Sequence, residues 1–169
     1  PSARVLIYGD DLNHLDELGK ELDRMGKYYF KYTGELDAQK ERPTILKEFR
    51  QGIRKILLAV GCLDEGIDIP ACDVAVFISS STSERQFIQR RGRVLRIAPG
   101  KTTAWIYDYL VYPILPASTS DEERRMALSM IDAQYRRINL MVDDAINGIR
   151  EHQKLDQFLS QRKLNPYDF

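Results

Sequence analysis

Apolar runs bounded by turn residues alternate along the chain with segments of helical spacing. Arg4 to Tyr8, Tyr28 to Tyr32, Lys55 to Val60, Val74 to Ile78 and Thr103 to Tyr109 read as strands. Between them Leu12, Leu15, Leu18 and Leu22 recur at helical spacing, as do Ile45, Leu46 and Phe49. This repeated β-α-β order predicts an α/β fold, a doubly wound parallel sheet with helices on both faces, because each crossover has room for a helix. In such sheets ligands gather at the carboxyl ends of the strands.

The pattern changes from about Pro113. Pro113 and Pro116 break it, and Ser118-Thr119-Ser120 opens a helix with Glu123 at the capping-box position. Ile131, Tyr135, Ile138, Val142, Ala145 and Ile149 then alternate steps of four and three, which predicts one apolar stripe along a helical extension. The expected division is residues 1–112 for the α/β domain and 113–169 for the extension. The stripe packs on its own domain, on a missing one, or on a protein partner through the C-terminal helix.

Composition sharpens this picture only modestly. With 43% hydrophobic and 30% charged residues the chain reads as soluble and globular, and no apolar run approaches the roughly 20 residues of a membrane span, so no membrane partner is expected. The net charge of zero names no ligand. Cys62 and Cys72 lack the spacing of a zinc site or a disulfide framework, which suggests an intracellular protein with reduced thiols, and the start at Pro1 reads as a fragment of a longer protein.

The strongest chemical signal lies between Glu84 and Arg96, where Gln89-Arg90-Arg91-Gly92-Arg93-Val94-Leu95-Arg96 sets arginines around a glycine. Arg90, Arg93 and Arg96 recur every three residues, so one helix would hold them on one face. A solvated basic face is the bland reading. Against it, guanidinium groups keep their charge, offer forked donors and stabilise a phosphoryl group in transfer. Gly92 would admit a backbone or phosphate where a side chain would obstruct.

This block resembles motif VI of superfamily 2 helicases, in the glutamine-started form of XPB-like helicases and restriction-enzyme translocases. The resemblance implies a RecA-like fold, with Arg93 and Arg96 as catalytic arginine fingers and Gln89, Arg90 and Gly92 at the ATP site. Upstream, Leu57-Leu58-Ala59-Val60-Gly61-Cys62-Leu63-Asp64-Glu65-Gly66-Ile67-Asp68-Ile69-Pro70 is similar to motif V of the same family. That match implies Gly66 at the nucleotide, Asp68 at the ribose or coupled to motif VI, and Val60 and Gly61 near a nucleic-acid backbone. Many members carry Thr or Ser where Val60 stands, so phosphate binding here is expected to rest on backbone N–H groups. Val5-Leu6-Ile7-Tyr8 with its following helix is similar to motif IV. Tyr32-Thr33-Gly34 with Arg42 resembles the segment leading into motif V; Thr33 and Gly34 either meet a phosphate or cap a loop, and Arg42 reads as a surface charge.

Other features are decoys. Gly100-Lys101-Thr102 mimics part of a P-loop, but Leu95 stands where its first glycine belongs and a strand follows it, so it reads as a turn. His14 and His152 lack partner spacing, and no metal site is expected in this chain. Tyr28, Tyr29, Phe30 and Tyr32 read as core and sheet surface.

The resemblance implies the second motor domain of an ATP-dependent nucleic-acid helicase or translocase, DNA being preferred, with ATP and Mg2+ held mainly by a missing N-terminal RecA-like domain. The alternatives are a non-hydrolysing nucleic-acid recognition or regulatory module on the same fold, and a small-molecule enzyme, for which no nucleophile-base constellation is present.

Overall fold

The computed structural model describes residues 3–37, 39–60, 72–78, 84–96, 98–116 and 118–162, with residues 84–86 and 93 described by their backbone alone. The chain divides into two compact units, Pro1–Tyr109 and Leu110–Phe169.

The first unit is an α/β domain. Strands β1 (Val5–Tyr8), β2 (Phe30–Tyr32), β3 (Ile56–Ala59), β4 (Val74–Phe77) and β5 (Trp105–Asp108) form one sheet in the order β2-β3-β1-β4-β5, and every pairing is parallel. Among the described residues three helices are interleaved, α1 (Leu12–Arg24), α2 (Glu41–Arg50) and α3 (Glu84–Val94). All five strands fall inside the apolar runs, each shorter than its run. β2 starts at Phe30 because Tyr28 is exposed, while the Tyr29 hydroxyl donates to Asp23 Oδ2 at 3.3 Å and its ring covers Gly19 on α1.

Register sorts the side chains into two faces. Leu6, Tyr8, Leu57, Ala59, Ala75 and Phe77 share one face and are fully buried. α3 covers part of it, through the Phe87 ring tilted 57° against Phe77 at 5.4 Å. On the opposite face α1 lies against β3, where Leu58 is fully buried and Lys31 of β2 bridges to Asp16 of α1. α1 begins after β1 because Asp11 accepts the His14 N–H at 2.8 Å, an N-cap that satisfies a donor the helix cannot.

The second unit is a helical hairpin of α4 (Asp121–Val142) and α5 (Gly148–Gln161). Ser120 and Glu123 form the capping box expected at its start. The stripe read from Ile131 to Ile149 is cut at Val142, however, and the continuous helix it suggested is replaced by a turn and a returning helix. Ile149 is 81% exposed, whereas Leu155 and Leu159 of α5 bury against Ile131. Gly148 makes the reversal possible, since a Cβ there would lie 2.0 Å from the Val142 carbonyl oxygen. Gln134, buried on α4, holds the entering strap by accepting the Val111 N–H at 2.7 Å and donating to the Val111 carbonyl at 3.0 Å. Neither α4 nor any other described helix is long and apolar enough to cross a membrane.

Candidate functional site

At the carboxyl end of the sheet, three rings form a layered support. Tyr8 and Phe77 close β1 and β4 and stack with centroids 4.9 Å apart and planes 1° from parallel, and Phe87 leans on Phe77. α3 carries Arg90 back across this stack, its guanidinium carbon 5.4 Å from the Tyr8 ring centroid. Arg90 is only 6% exposed. A guanidinium tolerates this position because it is weakly hydrated for a cation and its charge is attracted to the face of an aromatic ring. Arg90 therefore anchors the helix to the sheet and is not a solvated surface charge.

The neighbouring positions divide accordingly. Gln89 and Gly92 are exposed, Arg91 is half-buried, and Arg93 lies within the last turn of α3. The helix ends at Val94, so Arg96 lies beyond it, exposed, and does not share a helical face with Arg90 and Arg93. The threefold spacing had suggested a common face; the chain leaves the helix before the third arginine. A Cβ built on Gly92 would meet nothing within 4 Å, whereas one on Gly9 would lie 2.7 Å from Leu15 Cδ2. Among the described residues a side chain at 9 would press on Leu15, and one at 92 would press on nothing.

The loop after β2 forms a second group. Thr33 is buried and Gly34 exposed, and Arg42, from the first turn of α2, donates through Nη2 to the Gly34 carbonyl at 2.5 Å. Asp37 steadies the same loop, its Oδ1 accepting the N–H groups of Gln39 and Lys40 at 2.8 Å each. Arg42 is half-buried, with Nε enclosed and unbonded among the described residues. It is therefore a tether for the loop, a role that a surface-charge reading of the sequence missed. The signal lay in its position one turn into the helix that follows Thr33-Gly34. Val60 is half-buried just past β3, while Gly61, Gly66 and Asp68 lie outside the described residues.

The Gly-Lys-Thr stretch is a turn. Gly100 has φ +77°, and Lys101 reaches back to donate through Nζ to the carbonyl of Val94 at the end of α3. Burial lowers the Lys101 pKa, and burial pushes the nearby Cys72 thiol up to about 11, which suits a packed cysteine. His14 is absorbed into the turn after β1, where its Nδ1 accepts the Asp10 N–H at 3.3 Å. Among the described residues no cluster of His, Cys, Asp and Glu could hold a metal ion.

The helicase conserved C-terminal domain family matches residues 1–98. The chain belongs to this family. As a superfamily 2 helicase C-terminal domain it is 28% identical over 133 residues to UvrABC system protein B of Coxiella burnetii, covering 73% of this chain and 20% of that protein. It is 41% identical over 56 residues to the DNA 3'-5' translocase XPB2 of Sulfurisphaera tokodaii, covering 33% of this chain and 13% of that one. The chain thus spans a fifth or less of the length of these relatives. Its fold matches the C-terminal domain of the DEAD-box protein Dbp5 with a TM-score of 0.54, at 23% identity, over 80% of this chain and 71% of that one. These likenesses agree with the parallel sheet order and the RecA-like reading of the fold.

Proposed function

We propose that this helicase C-terminal domain is the second motor domain of an ATP-dependent DNA helicase or translocase, completing an ATP site whose larger part lies on an N-terminal RecA-like domain. The observation that carries the reading is Gly92. A glycine inside a helix costs about 1 kcal/mol relative to alanine, and nothing among the described residues needs the space. In this reading the space is kept for a group that docks on the domain, and a nucleotide phosphate or the facing domain fits beside a row of arginines.

In this reading Arg90 fixes α3 to the sheet, and Arg93 and Arg96 stabilise charge on the transferring phosphoryl group across the domain interface. Gln89, Gly66 and Asp68 line the nucleotide. Thr33 and Gly34, held by Arg42, join Val60 and Gly61 in gripping one nucleic-acid strand. The arginines suit phosphate, and in this reading Mg2+ is held mainly by the facing domain. DNA is favoured over RNA because the glutamine-started motif is the XPB-like form.

The test is ATP hydrolysis by the longer protein with and without DNA. Arg93→Ala or Arg96→Ala should lower the DNA-stimulated rate by roughly 10³-fold with melting unchanged, the scale seen for phosphoryl-transfer arginines. An unaltered rate in a folded variant would overturn the reading in favour of a non-hydrolysing recognition module. Stronger stimulation by RNA than by DNA would overturn the choice of nucleic acid.

A further inference from the structure

Helix α3 ends inside the protein. Val94, its last residue, is fully buried, whereas Leu95 and Arg96 just beyond it are exposed. The last carbonyls of a helix have no partner within it, and one that is also shut away from water must find a donor elsewhere. Lys101 supplies that donor. Its Nζ donates to the Val94 carbonyl, and a cation at this position is also attracted by the negative end of the helix dipole.

The chain around Lys101 serves that contact. Gly100 takes φ +77°, a left-handed turn that favours glycine, and the Lys101 N–H closes the turn on the Ala98 carbonyl at 3.0 Å. A few residues on, the Trp105 N–H donates to the Asp73 carbonyl at 2.9 Å and ties the chain to the sheet at the start of β5. Lys101 is half-buried, and the desolvation that lowers its pKa shows that its ammonium does not rest in solvent as that of an ordinary turn lysine would.

The consequence falls on Arg96. The stretch that carries it leaves the helix at Val94 and returns at Lys101, so one side chain joins its two ends. Arg96 and Lys101 also line the same recess. We propose that Lys101 is a positioning residue for Arg96, clamping the end of α3 to the turn before β5 so that the arginine leaves the helix in a set direction. The proposal rests on the reading of Arg96 as a phosphate-stabilising arginine. Charge alone does not make such a group effective, since a displacement of about 1 Å can cost about 10²-fold in rate.

The test compares Lys101→Met, which keeps most of the side chain and removes the donor, with Arg96→Ala and the double variant, all in the longer protein. Lys101→Met should lower the kcat of DNA-stimulated ATP hydrolysis about tenfold or more and leave the KM for ATP within about twofold, because the lost interaction acts in the transition state. In the Arg96→Ala background the same change should cost less than about twofold, since no arginine is left to place. Hydrogen exchange across residues 91–98 should quicken about tenfold, with exchange in the strands unchanged. A merely structural lysine would lower the rate by the same factor in both backgrounds, and that result would overturn the proposal. So would a wild-type kcat or unaltered exchange in the folded variant. If Lys101→Met does not fold, Lys101→Gln, polar and one bond shorter, takes its place in the same measurements. Arg96→Ala at the wild-type rate, beside quickened exchange in Lys101→Met, would instead overturn the motor reading and the role given to Lys101 with it.

Discussion

Phe77 and Val76 are neighbours on β4 and meet different surroundings. Phe77 points to the face closed by α3, where it is fully buried between Tyr8 and Phe87. Val76 points to the opposite face and is half-buried, beside a tryptophan and a tyrosine that are more exposed still. Both residues are apolar and both sit in the same ladder. The difference shows that a strand's hydrophobic content says how much surface it can bury, while the placement of the crossover helices determines how much it does bury.

Truncation at each face measures that contrast. Phe77→Ala should cost the most, about 3–5 kcal/mol by urea denaturation, since it opens a cavity inside the ring stack and removes the support beneath Arg90. A loss under about 1 kcal/mol would mean that the stack is not the anchor of α3. Leu58→Ala tests whether α1 closes its half of the other face, and a loss of about 2–5 kcal/mol is expected.

Between the faces, the starts of β1 and β4 are joined by charge. Asp73 Oδ2 accepts the Arg4 backbone N–H at 2.8 Å and Nε at 3.1 Å, while Oδ1 accepts Nη2 at 3.2 Å. The Arg4 side-chain hydrogen bonds hold the Asp73 carboxyl below its ordinary value. A depressed carboxyl stabilises the fold above the unfolded pKa of about 3.9, and that contribution disappears as pH falls through the folded value. Asp73→Asn should therefore cost roughly 1 kcal/mol at neutral pH, a modest figure for a partly exposed pair. The gap between variant and wild type should close in urea titrations as the pH falls through the folded value. A gap that persists there would assign the loss to packing. The smallest effect belongs to Val76→Ala, about 1 kcal/mol in the isolated chain, because its side chain is small and part of its surface stays in water. A larger loss would mean that the face is already covered.

Some of this was legible before any coordinates. β-Branched and aromatic runs separated by helical spacing were enough for the five strands and their parallel sense, because the period of two against 3.6 is a local property. The capping box at Ser120 and the turn at Gly100 were legible for the same reason. Less local features were not. Arg90 looks like any helix-surface arginine until Tyr8, distant in sequence, is brought beside it, whereas the tether from Arg42 to Gly34 spans only a loop and depends on how that loop folds back. The Ile131-to-Ile149 stripe kept its period through Ala145 although α4 stops at Val142, because periodicity cannot register a reversal that depends on the missing Cβ of Gly148.

The sequence by itself determined the alternation of elements, the motif of arginines around Gly92 and the membership that this motif announces. Those are carried by residue type and spacing, which the chain holds without folding. Only the tertiary structure decided that Arg90 rests on a ring stack, that Arg96 lies past the end of its helix, and that one side of the sheet carries Trp105 and Tyr107 in the open. Each of these depends on which strands become neighbours and where a crossover passes, and such contacts join residues far apart along the chain.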